Sequence, residues 1–130
     1  MEGSCHCGAV RWRFDGPLES VTACNCTVCR RYGTLWAYGY EGEEIAVSGP
    51  TRAYTRGRGN LGFHFCPACG CVACWRAVAA DEDGRRRIAV NMRLAEIPDL
   101  IAELPIDHFD GFASFADLPG DGRCVKDMWF

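Results

Sequence analysis

The sequence Cys66-Pro67-Ala68-Cys69-Gly70 places two cysteines three positions apart and follows them with a glycine. Two sulfurs at this spacing can converge on one metal ion, and the glycine permits the positive φ that such a turn often needs. The segment Cys5-His6-Cys7-Gly8 can supply two more sulfurs, because residues i and i+2 of an extended chain share a face and His6 then points away. Together the two segments predict a closed four-cysteine site that joins parts of the chain about 60 positions apart.

A second group, Cys24-Asn25-Cys26-Thr27-Val28-Cys29-Arg30-Arg31, holds three cysteines within six residues. Three protein ligands with an open fourth position are typical of reactive zinc sites, whereas structural zinc sites are saturated. The charge of the two arginines would offset a cluster of zinc and thiolates, and a planar guanidinium also suits a substrate carboxylate. The alternative is that both arginines are solvated surface residues. The candidate catalytic residues are therefore Cys24, Cys26, Cys29 and Arg30.

Two further cysteines, Cys71 and Cys74, follow the first C-x-x-C segment directly. If either one reached the second group, that site would be closed and structural. Alternatively the pair forms a redox-capable C-x-x-C, or both are strand residues that face the core. Residues i and i+3 of a strand point to opposite faces, so both cannot bind one ion without a turn. We favour the core interpretation, and Cys124 is also interpreted as a small buried apolar residue.

The chain has 130 residues, of which ten are cysteine, 48% are hydrophobic and 24% are charged. This length and composition predict one domain over residues 1–130 and exclude disordered and low-complexity architectures. No apolar run approaches the ~20 residues of a membrane-spanning helix, and the start lacks the basic and apolar regions of a secretion signal. We therefore expect a cytoplasmic protein, where clustered cysteines indicate metal binding or catalysis rather than disulfides. The net charge of −3 argues against nucleic acid as a partner.

The pattern of apolar residues predicts short strands joined by turns. Apolar and charged residues alternate over 10–14, the period of two expected for a strand with one buried face. Residues 74–79 and 86–92 flank Asp83-Gly84, a dipeptide typical of hairpin turns. One short helix is predicted near the C-terminus, over 97–104. The expected fold is therefore mainly β, with antiparallel sheets joined by short hairpins and held together by zinc.

The order C-x-C, then C-x-C-x-x-C-R-R, then C-P-x-C-G resembles that of the glutathione-dependent formaldehyde-activating enzyme family, which also contains the centromere protein V group. The resemblance extends from Gly3 to about Leu94 and implies a β-tent-like fold with two zinc ions. It implies that Cys5, Cys7, Cys66 and Cys69 bind a structural zinc ion. It also implies that Cys24, Cys26 and Cys29 bind a catalytic or labile one.

The same resemblance implies a carbon–sulfur lyase that adds formaldehyde to the thiol of glutathione to give S-hydroxymethylglutathione. An open zinc position is compatible with this chemistry, because zinc can deprotonate a bound thiol or polarise an aldehyde. Nothing in the residues themselves identifies glutathione or formaldehyde. His108 is the best candidate for an acid–base helper. The alternatives are a non-catalytic, zinc-stabilised binding module and a labile cytosolic zinc carrier.

Overall fold

The computed structural model describes residues 1–129, in which eleven short strands form two sheets. The strands are β1 (Glu2–Ser4), β2 (Arg11–Phe14), β3 (Val21–Cys24), β4 (Trp36–Tyr40), β5 (Ile45–Ser48), β6 (Arg52–Thr55), β7 (Leu61–Phe65), β8 (Val72–Ala77), β9 (Arg87–Asn91), β10 (Ile106–Phe109) and β11 (Asp117–Leu118). The helix α1 spans Cys29–Tyr32, and 3-10 helices span Met92–Leu94, Pro98–Leu100 and Val125–Met128. The prediction of a mainly β fold is confirmed.

The smaller sheet has the order β1-β2-β5, and the larger one has the order β11-β10-β3-β4-β9-β8-β7-β6. Strand β2 buries every second residue, as the alternation over 10–14 predicts. Strands β8 and β9 form the predicted antiparallel hairpin, with Cys74 opposite Val90. One pair differs from the antiparallel expectation, because β10 runs parallel to β3 and places Phe109 opposite Cys24. This parallel pair brings the segment after β10 next to the second cysteine group.

Alternation along the central strands of the larger sheet separates two clusters of buried side chains. Ala37, Cys74 and Val90 face the smaller sheet and pack in one cluster with Trp12, Phe14 and Ile45. Their chain neighbours Trp36, Trp75 and Ala89 face the opposite side and pack around Cys26 and Cys29. Because successive side chains of a strand point to opposite faces, one face of the larger sheet closes the core and the other forms a site.

The helix predicted over 97–104 is shorter in the structure and of a different type. A 3-10 helix covers Pro98–Leu100, with the proline in its first turn, and a turn follows it. Pro105 disfavours the helical conformation at the residue before it. Ile97 and Leu100 are exposed, and Ile101 is buried. The segment therefore lacks the continuous buried stripe that stabilises a longer helix.

Gly3 of β1 is required because the indole of Trp12 lies over it. The two residues are paired across β1 and β2, and a Cβ on Gly3 would collide with the Trp12 ring and lie 2.6 Å from the carbonyl oxygen of Leu94. We expect Gly3→Ala to lower the free energy of unfolding by about 1–3 kcal/mol, as overpacking of a filled core does. Urea denaturation of protein with equal metal content measures this change.

Gly120→Ala is the matched control, because a Cβ at that position meets nothing within 4 Å and its φ is not in the left-handed region. Its free energy of unfolding should change by less than about 0.5 kcal/mol. Equal stability of the two variants would show that the contact between Gly3 and Trp12 does not limit packing.

Candidate metal centres

The structure brings the four predicted cysteines of the first site together. The sulfurs of Cys5, Cys7, Cys66 and Cys69 all lie within 4.8 Å of one another. The Sγ atom of Cys7 is 3.6 Å from that of Cys5 and 3.6 Å from that of Cys66. Sulfurs bound tetrahedrally to zinc at ~2.3 Å are about 3.8 Å apart, whereas a disulfide requires about 2.05 Å. The donor set therefore fits a four-coordinate metal ion and not a disulfide.

Two glycine turns give the first site its shape. Gly70 has φ 77° and donates its N–H to the carbonyl of Cys66 at 2.9 Å, which closes the knuckle after β7. Gly8 has φ 75° and donates to the carbonyl of Cys5 at 2.8 Å. The backbone N–H groups of Cys71 and Cys7 donate to the Cys69 sulfur and lower the pKa of that thiol to about 5. The turn backbone thus favours the thiolate form that a metal ion requires.

The second site contains Cys24, Cys26 and Cys29, whose sulfurs also lie within 4.8 Å of one another. Cys24 ends β3, Cys29 begins α1, and Cys26 lies in the turn between them. Within residues 1–129, no histidine, aspartate, glutamate or further cysteine joins this group. Among the described residues the arrangement therefore offers three ligands to a metal ion.

Each sulfur of the second site accepts a hydrogen bond. The N–H of Cys26 donates to Cys24 at 3.5 Å, that of Cys29 to Cys26 at 3.4 Å, and the indole of Trp36 to Cys29 at 3.3 Å. The Cys29 thiol also donates to Cys24, and this bond is the main reason that the pKa of Cys24 falls to about 5. The same bond, with burial, raises the pKa of Cys29.

Neither of the two extra cysteines reaches the second site. Cys74 is fully buried on the core face of β8, in agreement with the core interpretation, and burial raises the pKa of its thiol to about 12. Cys71 precedes β8 and packs against the core beside the first site, where it interacts with Cys69 and Cys5. Cys124 is only partly buried and caps the 3-10 helix Val125–Met128.

The sulfurs of the second site lie at the floor of a cavity of about 460 Å³. We call this cavity the inner cleft. Its walls are mainly aromatic, and Phe109 and Phe115 meet edge to face with ring centroids 5.1 Å apart. Arg56, Arg87 and Asp117 also line it. The sequence gives little indication of these charged residues, because Arg56 lies in a glycine-rich turn and Arg87 ends a run of charges at a hairpin tip.

Arg30 and His108 do not line the inner cleft. Arg30 is exposed on α1, and its predicted contact with an anionic substrate stays a prediction. His108 lies on β10 with its Nε2 atom 3.2 Å from a carboxylate oxygen of Asp121. Its neighbour Phe109 is the residue of β10 that lines the cleft. An acid–base role for His108 thus finds no support in the geometry.

The fold and the site define a class of protein. Its members are mainly β and have two cysteine clusters that could each hold a metal ion, one of which lines a cleft. Residues 1–99 match the family described as glutathione-dependent formaldehyde-activating enzyme, and the chain belongs to this family. The resemblance predicted from the order of the cysteines is therefore confirmed.

A crystal structure of a Rhodobacter sphaeroides protein is similar, with a TM-score of 0.62 and 25% sequence identity. The match covers 82% of this chain and 99% of that one. Comparison with curated proteins gives no match. Within residues 1–129, no helix is long and apolar enough to span a membrane.

We expect two metal ions per chain that differ in their rate of release. The first site offers four sulfurs and the second only three, and a ligand-poor site with an open position exchanges its metal more readily. A mild chelator added to the zinc-loaded protein should remove one ion at least roughly tenfold faster than the other. A colorimetric zinc indicator measures both phases.

Cys24→Ser should abolish the fast phase and leave the slow one. Cys69→Ser should affect the slow phase and reduce the stability of the fold. A single tightly held ion, or two ions released at one rate, would contradict the assignment of an open second site.

Proposed function

We propose that the protein is a zinc-dependent enzyme that makes or breaks the carbon–sulfur bond of a thiol–aldehyde adduct, with glutathione and formaldehyde as the pair that the family description names. The observation that carries the proposal is the placement of three sulfurs, without a fourth protein ligand in residues 1–129, at the floor of the inner cleft. Sites of this kind accept a substrate atom, whereas saturated sites do not.

The chemistry of the donor set fits zinc, because thiolates at these separations match its size and softness. Zinc held by Cys24, Cys26 and Cys29 would supply Lewis-acid chemistry and would favour the thiolate form of a thiol substrate. In the forward reaction the thiolate sulfur of the substrate forms a bond to the aldehyde carbon. The thiol proton passes to water, the π electrons of the carbonyl move to its oxygen, and that oxygen takes a proton from water, so no net proton is gained or lost. The reverse reaction breaks the same bond.

The residues of the cleft orient the reactants and limit the access of water. Trp36, Phe63 and Trp75 form aromatic walls around the sulfurs, so charges that develop at the floor are poorly screened and interact strongly with nearby groups. The N–H groups that donate to the three sulfurs fix the positions of the ligands. Arg56 and Arg87 provide positive charge at the side of the cleft.

The rival functions differ from this proposal in what they require of the cleft. A zinc carrier needs a labile site but no cavity for an organic substrate, and a binding module needs no open metal position. An aromatic cavity of about 460 Å³ above the sulfurs lies within the range of small-molecule sites. This size favours a reaction on a small molecule over either rival.

Cys26→Ser tests the proposal because it removes the buried sulfur of the second site. We expect the zinc-loaded protein to accelerate the exchange between free formaldehyde and S-hydroxymethylglutathione, and the variant to lose at least roughly tenfold of this acceleration. Exchange spectroscopy by NMR measures the rate above the uncatalysed background.

Cys124→Ser is the matched control, since it also removes one thiol but lies in neither metal cluster. It should retain the wild-type rate. If wild type, Cys26→Ser and the uncatalysed mixture all exchange at one rate, the protein does not catalyse this reaction.

A further inference from the structure

Phe115 has a backbone conformation that is rare for an aromatic residue. Its φ is 55°, and within residues 1–129 it is the only residue other than glycine with a positive φ. A bulky side chain in this left-handed region is strained. Strain of this kind persists only where the surrounding structure enforces it, and it is concentrated at active sites and ligand-binding sites.

The loop 110–116 holds Phe115 in this conformation through Asp110. The N–H of Phe115 donates to the carbonyl of Asp110 at 2.8 Å. The Asp110 carboxylate accepts from the N–H of Ser114 at 2.9 Å and from the hydroxyl of the same residue at 2.8 Å. It also accepts from the Nδ2 group of Asn25 at 2.9 Å. Because Asn25 lies between two cysteines of the second site, this last bond fixes the loop beside that site.

The ring of Phe115 is exposed although it lies at the cleft. Its exposed fraction of 76% is the largest among the large hydrophobic residues of the described part of the chain, and it belongs to neither cluster of buried side chains. It meets the ring of Phe109 edge to face, with the ring planes at 80°. Core packing therefore does not account for the strained conformation. A ligand that covered the ring would gain free energy by burying it.

Phe115 lies where the inner cleft meets a second cavity of about 600 Å³, which we call the outer lobe. Leu61 and Phe63 of β7 also line both cavities, and as alternate residues of one strand they share a face. Arg56 is the one charged residue among the shared lining residues. We call Leu61, Phe63 and Phe115 the apolar clamp, because these three side chains from two parts of the chain border the junction.

The side chains between the sulfurs and the apolar clamp are aromatic. Trp36 donates its indole N–H to the sulfur of Cys29 at 3.3 Å, and Trp75 and Phe63 pack in the same cluster of buried side chains. A metal ion held by the three sulfurs would favour a thiol as the reactive end of a ligand. The rest of such a ligand would leave the inner cleft along apolar surface.

We infer that Phe115 is a specificity-determining residue, whose ring contacts, together with Leu61 and Phe63, an apolar chain that leads away from a thiol at the second site. This inference rests on the proposed function and adds to it a further class of substrate, thiols with an extended apolar chain. The donor set determines the chemistry of one end of the ligand, and the aromatic walls and the apolar clamp determine that of the rest.

Two neutral thiols of different length test the apolar clamp without any chemical reaction. Cobalt(II) loaded in place of zinc makes their binding visible, because a thiolate bound to cobalt adds a charge-transfer absorption in the near ultraviolet. 6-Mercapto-1-hexanol has four more methylenes than 2-mercaptoethanol, and each methylene that is buried strengthens binding by roughly fourfold. Titration of the wild type should therefore give at least roughly tenfold tighter binding of the longer thiol.

Phe115→Ala should weaken binding of 6-mercapto-1-hexanol by roughly fivefold or more and leave that of 2-mercaptoethanol unchanged. Phe115→Gly should show the same loss, since glycine adopts a φ of 55° without strain and keeps the loop in place. Phe112→Ala is the matched control. Phe112 belongs to the same loop and is 68% exposed, but it is not among the residues that line either cavity. This variant should bind both thiols as the wild type does.

The inference is overturned if the wild type and both Phe115 variants bind the longer thiol equally well, or if Phe112→Ala shows the same loss. A wild type that binds neither thiol, or has no preference for the longer one, would also overturn it. A preference that depends on Phe115, in a protein that does not accelerate formaldehyde exchange, would support the apolar clamp and contradict the proposed function alone. Catalysed exchange without a preference for chain length would do the reverse.

Discussion

The convergence of Cys5, Cys7, Cys66 and Cys69 is the constraint on which the rest of the structure depends. Cys5 and Cys7 follow β1 of the smaller sheet, whereas Cys66 and Cys69 follow β7 of the larger one. A metal ion at this site therefore ties the two sheets together. Structural zinc contributes roughly 10–16 kcal/mol in small domains, which equals or exceeds the net stability of about 5–15 kcal/mol of a typical domain.

Successive side chains of a strand point to opposite faces of the larger sheet. One face therefore packs in the core, and the other lines the inner cleft. In β8, Cys74 faces the core and Trp75 faces the inner cleft; in β9, Val90 faces the core and Arg87 the cleft. Cys74 is therefore prevented from reaching the second site by its position in the strand and not by its distance along the chain. The second cysteine group therefore keeps three members in a chain with ten cysteines, because the sheet directs Cys74 to the other face.

The sequence predicts those parts of the site that depend on local spacing. Both cysteine groups, the β class and the hairpin of β8 and β9 follow from residues that are close in the sequence. The parallel pairing of β10 with β3 does not, because nothing in residues 106–109 identifies a partner 85 positions earlier. The loop at Gly111 and the cleft arginines depend on that pairing and on sheet register. The helix expected over 97–104 is reduced to a 3-10 helix over Pro98–Leu100, because the segment lacks a continuous buried stripe and Pro105 disfavours a helical residue 104.

Electrostatics link the second site to the arginines around it. With zinc bound, three thiolates would give the site a net charge of −1 (−3 + 2), and the N–H groups of Cys26, Cys29 and Trp36 would disperse this charge without cancelling it. An anion that approached such a centre would be repelled, more strongly inside aromatic walls than in water. Arg56 and Arg87 line the inner cleft and carry the opposite charge. These arginines would offset that repulsion for an anion that enters the cleft.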